Sequence, residues 1–205
     1  MKSFFRKLFF YAGILWLSPL IIAFQVANNR ELILGDVRRW VELLGWEKRA
    51  DWLQLLALCL EAKEFRNLYY CRLFQGGSFS RFLMYILRFF YRESSYLFLD
   101  SSCSIGKGLF IQHGFSTIVM ADLGDNCWIN QQVTIGYKDK SGRPKIGNNV
   151  RITAGAKVLG NITIGDNVTV GANSVVVKDV PANCVVVGIP ARIIKRDGVK
   201  VDEKL

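Results

Sequence analysis

Few residues in this chain combine a reactive side chain with a setting that suggests a site. His113 is the only histidine among 205 residues, and it lies in Phe110-Ile111-Gln112-His113-Gly114-Phe115. Imidazole, with a reference pKa near ~6.5, can take a proton from a hydroxyl at neutral pH, which is the help a weak oxygen nucleophile needs. Polar neighbours in sequence are Gln112 beside it and Asp100 upstream, and a basic stretch from Tyr137 to Lys145 carries Lys138 and Arg143. One histidine per chain cannot assemble a three-histidine zinc site unless a threefold axis gathers three copies, and a corner position off such an axis speaks against that. The five cysteines, Cys59, Cys71, Cys103, Cys127 and Cys184, show no paired spacing, so neither a metal framework nor a disulfide framework is expected. Those thiols fit a reducing, cytoplasmic setting.

What must position His113 is a repeat. An aliphatic or similar residue returns every sixth position at Ile105, Ile111, Thr117, Leu123, Ile129 and Ile135, then at Ile146, Ile152, Val158, Ile164, Val170 and Val176, with only Thr117 out of character. A second buried-type series follows four residues later, at Leu109, Phe115, Ala121, Cys127 and Val133, then Val150, Ala156, Ile162, Val168, Ser174 and Val180. A period of six is neither helical nor a simple strand alternation, so the chain must turn a corner every six residues. Gly follows the guide residue at 106, 124, 136, 147, 165 and 171, with Asn130 standing in once. These types tolerate positive φ, and they are expected to serve the corners that way. His113 falls next to a corner and outside both inward series.

This pattern resembles the hexapeptide repeat of left-handed parallel β-helix acyltransferases, over about the C-terminal half of the chain. The resemblance implies about four triangular coils of three hexads each, a closing segment at Val187-Gly188-Ile189-Pro190-Ala191-Arg192-Ile193-Ile194, and a homotrimer. The surroundings of His113 resemble the active-site coil of serine acetyltransferases and of related acetyltransferases of surface-polysaccharide pathways, where a histidine in this place acts as general base. By that likeness His113 deprotonates the acceptor hydroxyl, the alkoxide attacks the acetyl-CoA thioester, and a backbone N–H stabilises the oxyanion. Acetyl-CoA is then the co-substrate, with Gly136, Ala154, Gly155 and Ala172 along its groove and Lys178 and Arg192 near its phosphates. Asp100, a neighbour's carboxylate or a backbone carbonyl would orient the base. The insertion around Arg143 would wall the site of an adjacent subunit, with Gln112 and Arg143 facing the acceptor.

The likeness to the serine enzymes departs at three places. Gln112 replaces an aspartate before the histidine, Phe98 falls where an orienting aspartate is expected, and Gly142-Arg143-Pro144 replaces Arg-His-Pro. A site that lost the polar partners of an amino acid should discriminate against it. L-serine is therefore the less expected acceptor, and the apolar stretch from Leu8 to Phe24, for which a soluble enzyme of amino-acid metabolism has no evident need, points to a sugar hydroxyl of a surface-polysaccharide precursor, carried on lipid or nucleotide. Serine O-acetylation in cysteine biosynthesis is the alternative, and a non-catalytic β-helix scaffold is the third reading. A sugar nucleotidyltransferase would need a preceding nucleotide-binding α/β domain, which residues 1–99 lack.

Ahead of the repeat, residues 1–28 form a membrane-associating segment. Leu8 to Phe24 is nearly all apolar, follows Lys2, Arg6 and Lys7, and is interrupted by Ser18-Pro19. One straight helix would reach only about 25 Å against a hydrocarbon core of about 30 Å, so a span and a re-entrant hairpin both remain open. A cleaved signal peptide competes, but no small-x-small cleavage site follows. Residues 29–99 form a helical domain, with one helix from Ile33, a second from about Lys48 to Tyr70 and a third from Ser78 to about Arg92. That third helix puts Phe79, Leu83, Ile86 and Phe90 on one face, either docking a membrane surface or capping the open end of the β-helix. The β-helix covers 100–186 and a tail 187–205.

Residues 1–99 hold 14 Lys or Arg against 8 Asp or Glu, and residues 100–205 hold 13 against 9. This surplus suits an anionic membrane surface and anionic small molecules, and no nucleic-acid module accompanies it. The cytoplasmic face of a bacterial inner membrane is the expected location.

Overall fold

The apolar run near the start folds as two helices, α1 (Lys2–Leu17) and α2 (Pro19–Val26), and the stretch Lys7–Leu17 bends by 46° against α2 where Ser18-Pro19 interrupts the chain. Proline has no amide hydrogen to continue the ladder, so the break falls where the sequence puts it. Among the described residues no single helix is long and apolar enough to cross a membrane, and the bent pair passes by length and composition only. The computed structural model describes residues 2–205, in two units that meet in sequence at Ser94/Ser95. The division falls just before the expected start of the repeat at residue 100, because β1 (Leu97–Leu99) already pairs with the coil above it.

The first unit continues with α3 (Arg30–Leu43), α4 (Asp51–Glu61), α5 (Lys63–Gln75) and α6 (Ser78–Phe90). The single helix expected from Lys48 to Tyr70 is two, broken at Ala62, which is extended at φ −120°, ψ 99°. The break leaves carbonyls at the end of α4 without intrahelical donors, and buried Arg66 on α5 reaches back to the Cys59 carbonyl at 2.9 Å. Asp36 on α3 and Arg72 on α5, both essentially inaccessible, pair at 2.8 Å, and Trp40 packs edge-on to Phe65. Helix α6 turns inward Ser80, Met84 and Leu87, while Phe79, Ile86 and Phe90 of the expected apolar face are exposed.

In the second unit β1 is followed by β2 (Phe110–Ile111), β3 (Thr117–Val119), β4 (Asp122–Leu123), β5 (Trp128–Ile129), β6 (Thr134–Gly136), β7 (Lys145–Ile146), β8 (Arg151–Ile152), β9 (Lys157–Leu159), β10 (Thr163–Ile164), β11 (Thr169–Val170) and β12 (Val175–Val176). Then come β13 (Cys184–Gly188), β14 (Ala191–Arg196) and β15 (Val199–Lys204). The strands line three faces: β1-β3-β6-β9-β12, β4-β7-β10, and β2-β5-β8-β11-β13, the last extended antiparallel by β14 and β15. Pairing between coils is parallel, and Arg151 lies opposite Thr169, eighteen residues or three hexads on. Across the insertion the offset is twenty-three, as Trp128 opposite Arg151, so the five extra residues form a loop without disturbing the stack.

Every guide residue is buried, and so is every member of the second series except Phe115, which is 56% exposed. Register explains the exception. Ile118 pairs with Thr134, only sixteen residues on, while Leu97 pairs with Thr117, twenty residues on. Two extra residues therefore sit between β2 and β3 and are recovered before β4. Val119, not Thr117, continues the inward column through Ile135 and Val158.

The expected role of the glycines also needs correction. Left-handed φ occurs mainly at Asn126, Gln132, Asn149, Asn167 and Asn173, three residues after the guide, and not at Gly106, Gly124, Gly147 or Gly165. Those four stack in one column, where an added Cβ on Gly147 would lie 2.8 Å from Asp166 N and 2.9 Å from Gly165 C. Close approach of successive coils, rather than conformation, excludes a side chain there.

Candidate active site

The two-residue slip builds the corner that carries His113. The chain leaves β2 at Ile111 and must reach β3 with two residues more than the coil above it uses. It absorbs them by placing both His113 (φ 54°) and Ser116 (φ 52°) in the left-handed region. Phe115 N donates to the His113 carbonyl at 2.5 Å, a three-residue turn around Gly114. Gln132 N from the next coil donates to the Phe115 carbonyl at 2.8 Å, and Tyr96 packs its ring 5.2 Å from that of Phe115. The bulged corner is thus pinned on both sides, and it holds His113 exposed at the edge of the prism. A left-handed φ at a non-glycine residue is uncommon and persists only where surrounding contacts enforce it.

The same edge, where the β2 face turns into the β3 face, continues upward coil by coil. It presents Gln131 and Gln132, then Ala154 and Gly155, then Ala172 and Asn173. Three predicted donor-binding residues, Ala154, Gly155 and Ala172, therefore share the edge of His113. Gly155 has φ +75°, and a Cβ on it would meet Asn173 Oδ1 at 2.0 Å, so the strip above His113 has no bulky side chain at this point.

Asp100, Gly136, Arg143 and Lys178 lie on a different edge, where the β3 face turns into the β4 face. Within one chain Asp100 and His113 are on separate corners, and Asp100 Oδ1 accepts from Ser102 N at 2.9 Å. Arg143 is clamped to the coils below: it donates to Asp122 Oδ1 at 2.9 Å and to Ser102 Oγ at 3.0 Å. Gln112 beside the histidine accepts from Asn130 Nδ2 at 2.9 Å. Lys178 donates to the Leu205 carbonyl at 2.6 Å, and Arg192 pairs with Asp202 at 2.7 Å. Both border a cavity of about 320 Å³ that is also lined by Val175, Pro190 and Lys204.

The sequence pattern marked Asn130 only as a corner residue and did not mark Ser102 or Asp122 at all. The spacing contained the signal for Asn130, which lies eighteen residues after Gln112 and hence directly above it. All five cysteines are free and buried, and burial pushes the Cys127 thiol up to about 11. Among the described residues no group of three or more His, Cys, Asp or Glu side chains could hold a metal ion.

This geometry has relatives. Residues 143–178 match the model of the bacterial transferase hexapeptide (six repeats) family. The serine acetyltransferase of Synechococcus elongatus is 54% identical over 103 residues, covering 48% of this chain and 42% of that protein. Among solved structures, the serine acetyltransferase of Brucella abortus strain S19 superposes with a TM-score of 0.64 at 30% identity, covering 82% of this chain and 69% of the other. The Neisseria gonorrhoeae serine acetyltransferase in complex with serine gives 0.62 at 31%, covering 80% and 68%. The chain belongs to the hexapeptide-repeat acetyltransferases. Within that family it resembles the serine acetyltransferases, although it spans about half the length of the curated relatives it matches.

The expectation of a polysaccharide acceptor is overturned by these relatives, which carry the serine enzyme's name at 45–54% identity. The inference rests on the apolar stretch from Leu8 to Phe24, and on departures at Gln112 and Arg143, expected to face the acceptor, and at Phe98, where a base-orienting aspartate is expected. In the fold two of the three are engaged elsewhere, Gln112 with Asn130 and Arg143 with Asp122 and Ser102, so their departures report local structure before they report substrate.

Proposed function

We propose that this protein is an acetyl-CoA-dependent serine O-acetyltransferase, with His113 as general base. The observation that carries the reading is the two-residue bulge: apart from the insertion it is the main departure from the hexapeptide register, and it places the chain's only histidine on the edge that carries Ala154 and Gly155 two coils on and Ala172 three coils on. The name carried by the relatives supports the acceptor, and one of them was solved in complex with serine.

In this mechanism His113 takes the proton of the serine hydroxyl as its oxygen attacks the thioester carbonyl carbon. A backbone N–H donates to the oxyanion of the tetrahedral intermediate. Collapse breaks the carbon–sulfur bond, and the departing thiolate receives the proton held by His113. Products are O-acetylserine and coenzyme A. The strip at Ala154, Gly155 and Ala172 suits the donor because small residues leave backbone groups open to an extended ligand.

The working unit in this reading is a homotrimer. Tyr96, Phe98, Phe115 and Ile118 are 64%, 52%, 56% and 41% exposed around the His113 corner and the outer β1–β3 face, where a solvated coil would carry polar residues. A neighbouring chain covering them would also bring its Asp100 and Arg143 edge toward His113, which one chain cannot do. We further infer that the enzyme works at the cytoplasmic face of a bacterial inner membrane, with residues 8–24 as the associating segment. The test of the function is product analysis: incubation with acetyl-CoA and L-serine should yield O-acetylserine by mass spectrometry. Consumption of acetyl-CoA without that product would reject the acceptor.

A further inference from the structure

The first unit is built inside out at two places. Helix α6 buries Ser80, Met84 and Leu87, and presents Phe79, Phe82, Tyr85, Ile86, Phe89 and Phe90 at 44–74% exposure. An aromatic side chain carries on the order of 150–250 Å². These six residues therefore show roughly 500–700 Å² of largely apolar surface, at or above the largest patch of an ordinary monomer. The second place is α1, where Leu8, Phe9, Leu15 and Trp16 are 52%, 73%, 75% and 63% exposed.

The two surfaces meet. Tyr91, just past α6, donates its hydroxyl to the Trp16 carbonyl at 2.8 Å, and its ring lies 5.7 Å from that of Trp16 and 6.4 Å from that of Phe90. Trp16, Tyr91, Phe90 and Phe89 thus form an unbroken aromatic run from one helix to the other. The helices themselves carry charge of one sign, and the nearest acidic group beyond α6, Glu93, is paired with Arg88. Helices α1, α2 and α6 contain no Asp or Glu, whereas Lys7 on α1 and Arg81 on α6 are exposed basic residues.

We propose that the joined faces of α1 and α6 form an in-plane docking surface for an anionic lipid bilayer. The aromatic rings enter the headgroup and upper acyl region, and Lys7 and Arg81 meet lipid phosphates. This occupant is favoured over a second copy of the chain by charge. A self-complementary contact would place Lys7 and Arg81 of one copy against those of the other, with no acidic residue on these helices to pair with them and Glu93 already held by Arg88. An anionic bilayer supplies the opposite charge and, for the rings, an apolar solvent with polar edges. The proposal also removes the need for α1 and α2 to span, since an in-plane helix is not limited by bilayer thickness.

The test uses the full chain and vesicles of phosphatidylcholine with and without 30% phosphatidylglycerol, read by flotation. The wild-type chain is expected to float with the anionic vesicles, less with the neutral ones, and less at high salt. The double variant Phe82→Glu/Phe89→Glu is expected to bind about a hundredfold more weakly, since each ring lost from the interface is worth about tenfold. Both side chains are exposed, so folding and acetyl transfer are expected to match wild type, which separates this result from the fate of the serine reading. Three outcomes overturn the proposal: a wild-type chain that stays in the aqueous fraction, a double variant that floats as well as wild type, or a lipid-free wild type whose assembly dissociates to a smaller one when Phe82 and Phe89 are replaced. The last would show that the face is covered by a second copy.

Discussion

Replacing Gly147 with alanine tests the physical reason for the glycine column. In the fold its Cβ would sit 2.3 Å from Asp166 Oδ1, 2.8 Å from Asp166 N and 2.9 Å from Gly165 C. The carboxylate can swing, but the two backbone atoms cannot, because Gly147 N donates to Ile164 O at 2.8 Å and Asn167 N donates to Asn148 O at 2.9 Å. Relief requires the coils to part at this corner. Overpacking costs about 1–3 kcal/mol and each weakened hydrogen bond about 1 kcal/mol, so the substitution should destabilise by about 3 kcal/mol. Urea denaturation followed by circular dichroism reads this as a lower midpoint with an unchanged slope. Gly45 is the control: its φ is +67° and a Cβ there meets nothing within 4 Å, so Gly45→Ala should cost only about 1 kcal/mol of backbone strain. Asparagine distinguishes the two causes. It tolerates left-handed φ, so it should be accepted at 45 and should be as damaging as alanine at 147. A Gly147→Ala protein within about 0.5 kcal/mol of wild type would refute the close-approach argument.

Three further outcomes follow from the same packing. Asp36→Leu alone leaves Arg72 charged and buried and should cost about 3–5 kcal/mol, whereas Asp36→Leu/Arg72→Met should recover most of it in the same urea assay. Burial holds the Cys59 thiol at about 12 and those of Cys103 and Cys127 at about 11, above their ordinary value of 9.0, so the folded state favours the protonated form. That contribution is complete below pH 9 and is lost as pH rises toward 11–12; the native chain should react with no thiol reagent at pH 8, and with five equivalents once unfolded. Arg143→Ala removes the bonds to Asp122 and Ser102, and with the pair partly solvated it should cost about 1 kcal/mol, measurable by thermal melting.

The repeat was legible because its two inward series constrain each other; a guide residue and its partner four positions on must both be buried for the coil to close. Thr117 carried the sign of the register slip, since its hydroxyl and the exposed Phe115 mark a hexad that does not follow the rule. That sign pointed to the site only after pairing showed two residues gained before β3. The glycines were assigned correctly in position and wrongly in cause, because sequence cannot separate a residue needed for its φ from one needed for its lack of Cβ. Helix α6 shows a related limit: periodicity says which residues share a face, not which face turns inward. The break at Ala62 had no local breaker to announce it, because it is held by Arg66 reaching Cys59 across the gap. The acceptor was misread because the apolar stretch from Leu8 to Phe24 was taken to imply a lipid-linked substrate, and because Gln112 and Arg143 were taken as facing substrate, when each has a partner in an adjoining coil that only the stack reveals.

In the proposed function the bulged corner makes His113 the base in acetyl transfer to serine. The direct measurement is coenzyme A thiol release from acetyl-CoA with L-serine, comparing wild type with His113→Asn at matched assembly and melting temperature. Serine-dependent release by the wild type and a loss of about 10²–10⁴-fold in the variant are expected. Release that is independent of L-serine, or a variant within a few-fold of wild type, would contradict it.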